Sequence, residues 1–257
     1  MNTNNPERFD GLRAFVTGGG TGIGRATAVT LAQQGAYVTV AGRTEATLRE
    51  TVELIHAAGG DGQAVICDVS DENSVINAVT AAGGEQEQLD IAVNSAGVSG
   101  GDALRPLADY DTAQFDRMIA IDLRGMFLSM KYELALMARK KSGAIVNVGS
   151  GASLVGAPGF AGYVAAKHGG AGLTKTAALD YGALGIRVNI VAAGLVETPL
   201  VATGRSPEVM AARIAEHPLG RIAQAQEIAD AIVWLCSKQS SFVTGAVVPV
   251  DGGYTVH

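Results

Sequence analysis

Short runs of apolar, β-branched residues recur along this chain, separated by stretches in which apolar positions return every three or four residues. The runs lie at 12–17, 36–42, 63–69, 89–96, 143–150, 186–193 and 245–251, and they predict seven strands. The intervening patterns predict helices near 22–34, 44–58, 71–83, 112–141, 161–184 and 224–237. Strand and helix alternate, which calls for right-handed crossovers and one parallel sheet with helices on both faces. The runs are nearly continuous in hydrophobicity, as strands buried on both sides should be. With no internal repeat and no low-complexity linker, residues 11–257 are expected to form a single α/β domain behind a polar arm at 1–10. The segment 195–221 breaks the rhythm, with three prolines and two glycines after the sixth strand. A long insertion beyond a strand's carboxyl end sits where ligands bind in doubly wound folds, so it is expected to be a substrate lid, with 210–217 a short helix inside it.

Composition narrows the function. A net charge of −6 argues against a nucleic-acid partner that depends on phosphate neutralisation. No apolar run reaches membrane-spanning length, and the opening MNTNNPERFD lacks a signal peptide's apolar core. Cys67 and Cys236 are far apart in apolar contexts and are expected to be reduced core residues of a cytoplasmic protein. The four histidines show no ligand spacing, so no metal centre is expected.

The stretch TGGGTGIG at 17–24 follows the first strand and opens the first helix. Glycines there let the backbone turn sharply and approach a pyrophosphate, whose charge the helix N-terminus stabilises. Its spacing is TGxxxGxG, through Gly18, Gly22 and Gly24 around Thr21 and Ile23. At the end of the second strand stands Gly42-Arg43-Thr44, where an acidic residue would hold the ribose diol of NAD and an arginine accommodates the phosphate of NADP. Arg43 can bind a phosphate bidentately, so NADP(H) is favoured over NAD(H). An Arg43 stacked on adenine or lying in solvent is the other reading.

With Asp68-Val69 after the third strand, Asn94-Ser95-Ala96-Gly97 after the fourth, Ser150 after the fifth, and Tyr163-x-x-x-Lys167, the ordered motifs resemble the short-chain dehydrogenase/reductase family over 11–257. The look is nearest to its 3-oxoacyl-carrier-protein reductase branch, one shared with enzymes of sugars, cyclic alcohols and steroids. The resemblance implies a single-domain Rossmann fold and an oxidoreductase interconverting ketones and secondary alcohols. It further implies that Asp68 and Val69 contact adenine, that Asn94, Ala96 and Gly97 shape the cofactor channel, and that Gly194, Val196 and Thr198 meet the nicotinamide end. Spacing of four puts Tyr163 and Lys167 on one helix face. A free phenol has a pKa of about 10, and a neighbouring ammonium favours its ionised form. Tyr163 is thus the expected general acid–base, also beside the cofactor, with Lys167 on the nicotinamide ribose and Ser150 polarising the substrate oxygen.

Two positions depart from the family's pattern. Asp122 stands where an asparagine is usual, keeping acceptor oxygens, losing amide donors and adding a possible charge near Lys167. Burial should raise its pKa, and a nearby lysine should oppose this. Ala193-Gly194 replaces a common Pro-Gly pair, a change expected to loosen the nicotinamide end. The small residues Gly169, Gly170, Ala171 and Gly172 permit close helix packing, within one subunit or across the dimer interface from which the family builds homotetramers. Two alternatives remain at this level: an NAD(H)-dependent alcohol or sugar dehydrogenase, and a nucleotide-binding regulator with a decayed active site.

Overall fold

A computed structural model describes residues 9–99, 104–202 and 206–256. Seven strands form one parallel sheet in the order β3-β2-β1-β4-β5-β6-β7: β1 Arg13–Thr17, β2 Tyr37–Gly42, β3 Asp61–Ile66, β4 Ile91–Asn94, β5 Gly143–Ser150, β6 Ile186–Ala193 and β7 Val247–Val250. The order reverses between β1 and β4, and the crevice outside the carboxyl ends of those strands is the ligand position of doubly wound sheets. α1 Gly22–Gln33 and α9 Ala225–Cys236 pack on one face over Val16, Val38, Val93, Val146 and Val191. The opposite face carries α3 Glu72–Gly83, α5 Gly125–Lys140 and α6 Ala161–Tyr181 over Phe15, Ala92, Ile145 and Val188. α2 Glu45–Ala57 connects β2 to the edge strand β3.

Three expectations change. β3 ends at Ile66, not at residue 69, because its only neighbour, β2, runs out at Gly42; the last bond is Cys67 N–H to the Gly42 carbonyl at 2.8 Å. Asp68 and Val69 are thereby released into the cleft. The single helix expected over 112–141 is α4 Thr112–Met118, a π-helical segment Ile119–Arg124, and α5. Such wide turns insert a residue into the ladder and re-aim side chains, and they are frequent at functional sites; Asp122 lies in this one. Lastly, the domain begins earlier than residue 11. Phe9 is buried, and its N–H donates to the Gln34 carbonyl.

Within 195–221, the described residues form α7 Pro199–Ala202 and α8 Pro207–Ala215. The N-cap of α8 is Ser206, whose Oγ accepts from Val209 N–H. On α6, Gly169 packs against Leu123 and Gly170 against Met126, so close packing within the subunit explains both; Gly172 faces open space.

Candidate active site

The glycine turn is tight for a measurable reason. A Cβ on Gly24 would lie 2.3 Å from the Gly18 carbonyl oxygen, and one on Gly18 (φ +66°) would lie 2.8 Å from the backbone of Ser95 and Ala96. Glycine at both positions lets α1 start directly beneath the β4 exit, leaving a groove along the strand ends. That groove begins between Arg43, Thr44, Asp68 and Val69, passes Gly18, Thr21, Ala96 and Gly97, and ends among Gly22, Ile23, Ser150, Tyr163, Lys167, Gly194, Val196 and Thr198. Its length, glycine floor and helix N-terminus suit a nicotinamide dinucleotide.

Two expected cofactor residues are not in the groove. Gly24 is buried under the turn and acts by letting it close. Asn94 is turned into the core, where its Nδ2 donates to Glu133 Oε2 at 2.9 Å and to Asn147 Oδ1 at 3.0 Å. The side chains of a strand alternate between faces, and Asn94 falls on the α5 side. Asp68 does reach the groove, and Ser70 holds its carboxylate: backbone N–H at 2.9 Å and hydroxyl at 2.6 Å. These bonds, with Arg43 nearby, lower its pKa despite partial burial.

At the far end, β5 delivers Ser150 and the first turn of α6 delivers Tyr163. Ser150 Oγ accepts from Ala152 N–H at 3.2 Å, which leaves its own proton available to a ligand. Lys167 is buried, with Nζ 5.4 Å from the Tyr163 ring centre, 3.2 Å from Asp122 Oδ1 and 3.4 Å from the Val148 carbonyl. Burial alone would lower the lysine pKa; Asp122 and Tyr163 together outweigh it, and the net direction is upward. Asp122 is raised by burial against the pull of Lys167, as its position in the sequence implied. Its Oδ1 also accepts from Val98 N–H at 3.2 Å, so the carboxylate ties the β4 exit loop to the lysine. Gly97 makes this possible, since a Cβ there would sit 2.5 Å from Asp122 Oδ1.

Beside Ala193 the backbone is held on both sides. β6 stays paired to its end, Ser150 against Ala193 on one side and Ala193 against Val250 on the other, and Gly194 N–H donates to the Val250 carbonyl. An alanine keeps the N–H that a proline would remove.

A second pocket of about 130 Å³ opens from Ser150 and Tyr163 on the side away from the glycine turn. Phe160, Leu195, Val201, Arg213, His217 and Tyr254 line it. Of these, Leu195, Val201, Arg213 and His217 belong to the insertion 195–221. Phe160, His217 and Tyr254 carried no sequence signal. His217 is buried, stacked on Tyr254 at 5.0 Å; its Nε2 accepts from Leu195 N–H (3.1 Å) and its Nδ1 donates to the Arg213 carbonyl (2.9 Å). Those partners require the neutral Nδ1–H tautomer. Among the described residues no cluster of His, Cys, Asp and Glu could hold a metal ion, and no helix is long and apolar enough to cross a membrane.

A doubly wound sheet with a glycine-floored dinucleotide groove that ends at a Ser-Tyr-Lys constellation defines an oxidoreductase of the short-chain dehydrogenase/reductase family, and this chain belongs to that family. The family model described as enoyl-(acyl carrier protein) reductase matches residues 18–255. The chain is 44% identical over 249 residues to cis-4-hydroxycyclohexanecarboxylate dehydrogenase of Sinomonas cyclohexanicum, covering 97% of this chain and 98% of that protein. It is 38% identical to cyclohexanol dehydrogenase of Acinetobacter sp. strain SE19, covering 96% of each. Among solved structures, it is similar to an Agrobacterium tumefaciens protein provisionally assigned as a 2-deoxy-D-gluconate 3-dehydrogenase with bound NADP: TM-score 0.89, 34% identity, 99% of this chain and 100% of that one.

Proposed function

We propose that this protein interconverts a secondary alcohol and a ketone carried on a single six-membered ring, using NADP(H), with Tyr163 as general acid–base. The observation that carries this reading is that Ser150 and Tyr163 form the wall shared by the dinucleotide groove and the second pocket. A volume of about 130 Å³ matches one ring, since an apolar protein cavity of about 150 Å³ binds benzene. Two relatives named for cyclohexane alcohols support the same substrate class.

A nicotinamide dinucleotide held along the groove by Thr21, Ile23, Lys167 and Thr198 would supply the hydride chemistry. Ser150, whose Oγ is oriented by Ala152 N–H, donates its hydrogen bond to the substrate oxygen. Tyr163 gives its proton to that oxygen in reduction and takes one from it in oxidation. Lys167 keeps positive charge beneath the phenol ring, and Asp122 keeps Lys167 protonated. The place of Arg43 in the groove wall, beside the hydroxyl-bearing Thr44 and Thr47 and with no acid at the end of β2, supports NADP(H); so does the cofactor bound to the Agrobacterium relative. We also propose that segment 195–221 is the substrate lid and that the protein is a cytoplasmic homotetramer. Exposed Phe127 and Leu179 on α5 and α6, and Trp234 and Phe242 around α9, supply two apolar contact areas for the assembly.

The test is steady-state oxidation of NADPH and NADH over cyclic and open-chain ketones, with wild type and Tyr163→Phe. The expected result is turnover of cyclohexanones, better with NADPH, falling by at least about 100-fold in the variant. Absence of carbonyl-dependent turnover in the wild type with either cofactor would overturn the reading and favour a nucleotide-binding regulator.

A further inference from the structure

The pocket beside Tyr163 is mostly apolar and aromatic, yet one cation is built into its wall. Arg213, half-buried on the last turn of α8, has its guanidinium carbon 5.0 Å from the centre of the Phe160 ring. Phe160 in turn meets Tyr163 edge to face, with ring centres 6.3 Å apart. Along one side of the pocket the order is therefore proton donor, apolar ring face, guanidinium.

The placement of Arg213 is fixed from behind. Its carbonyl accepts from His217 Nδ1, and His217 Nε2 accepts from Leu195 N–H, so the end of α8 is pinned to the backbone that follows Gly194. The tautomer these bonds impose leaves His217 neutral, so Arg213 is the pocket's only cation among the described residues. No carboxylate there makes an ion pair with it; Glu216, which also lines the pocket, is exposed at the rim. A half-buried guanidinium that lacks a counter-ion carries a desolvation cost, and an incoming anion offsets it. Its planar fork of N–H donors matches a carboxylate with two parallel hydrogen bonds.

We propose that Arg213 anchors a carboxylate on the substrate ring, at the end away from the carbon that reacts, so that the substrates are alicyclic hydroxy- or oxo-carboxylates. This rests on the ring-ketone reading above and adds the anionic group to it. The guanidinium holds one end of the ring, Phe160 covers its face, and Ser150 and Tyr163 receive the oxygen at the other end.

Two measurements test it. The first compares 4-oxocyclohexanecarboxylate with uncharged 4-methylcyclohexanone in wild type, Arg213→Met and Arg213→Lys. Methionine keeps the apolar stem over Phe160. The expected result is a fall of roughly 10- to 100-fold in the ratio of kcat/KM for the two ketones in Arg213→Met, carried mainly by KM, with partial recovery in Arg213→Lys. Equal losses on both ketones, or no change on either, would overturn the proposal and leave the ring-ketone reading standing. The second is calorimetric titration of cyclohexanecarboxylate and cyclohexanecarboxamide into protein saturated with NADP⁺. Wild type is expected to bind the carboxylate at least about 10-fold more tightly, and Arg213→Met to lose that preference. A preference that persists in Arg213→Met, or a wild type that binds neither, would overturn it. Binding with this preference but no turnover of any ketone would instead sink the catalytic reading and retain Arg213 as an anion site.

Discussion

Asp122 places a carboxylate 3.2 Å from the ammonium of Lys167, inside the protein, where the family's usual residue offers only an amide. The charge has a working consequence. It sustains the protonated lysine and at the same time offsets the positive field that lysine exerts at Tyr163. Removing it with Asp122→Asn takes away a cause that holds the Lys167 pKa up, so Lys167 should give up its proton at lower pH. The alkaline limb of the pH–rate profile for alcohol oxidation is then expected to move down by about one pH unit, the scale of a nearby charge's effect. A profile left in place would mean that the ion pair does not persist in the working enzyme. The residues proposed to react were legible in the sequence because local spacing carries them: Tyr163 and Lys167 share a helix face whatever the tertiary structure. Arg213 was visible only as a charge in an insertion, and Phe160 and His217 not at all, because their roles depend on contacts between segments distant in the chain. Asn94 shows the opposite case: its motif follows the fourth strand as expected, and strand alternation turns the side chain inward, which the motif's spacing does not encode.

At the level of elements, helix and strand existence followed from periodicity, while boundaries followed from neighbours. β3 stops where β2 stops, which no property of residues 63–69 encodes. The π-helical turn at Ile119–Arg124 is invisible to a pattern read at one helical period, although it aims Asp122 at Lys167. The insertion's mid-part was readable as a short helix; its attachment was not. That attachment runs through one imidazole, with α8 on one ring nitrogen and the β6 exit on the other. His217→Ala removes both bonds at the substrate end and leaves the glycine turn untouched. It is expected to raise KM for ring ketones by about 10-fold while the NADPH dissociation constant changes less than about two-fold, losses comparable to one or two net hydrogen bonds. Equal weakening of cofactor and substrate would show that His217 supports the fold in general rather than the substrate end.

The whole molecule is a sheet with two cores, and one of them encloses acid. Glu133 on α5 is fully buried, hydrogen-bonded to Asn94, which reaches Asn147; that residue donates to Thr174. Desolvation pushes the Glu133 carboxyl up to about 8 from 4.5, against the Asn94 bond. The folded protein therefore holds a proton that the unfolded chain releases between those values. Its contribution to stability is complete below about pH 4.5 and is lost as pH rises through about 8. In Glu133→Gln the amide cannot titrate, so the urea midpoint is expected to decline less between pH 6 and pH 9 than in wild type. Identical declines would remove Glu133 as the titrating group. A parallel, doubly wound sheet was legible in the sequence because both-face burial writes itself as continuous apolar runs. The buried acid was not, since Glu133 sits in a helix whose surface carries many charges.

Ser150 and Tyr163, on separate elements, are proposed to meet one substrate oxygen at the junction of groove and pocket. The decisive measurement is a crystal structure of the ternary complex with NADP⁺ and a cyclohexanol. The alcohol oxygen is expected within about 3.2 Å of both Ser150 Oγ and Tyr163 Oη. An alcohol seated in the pocket with its oxygen turned away from either hydroxyl would contradict it.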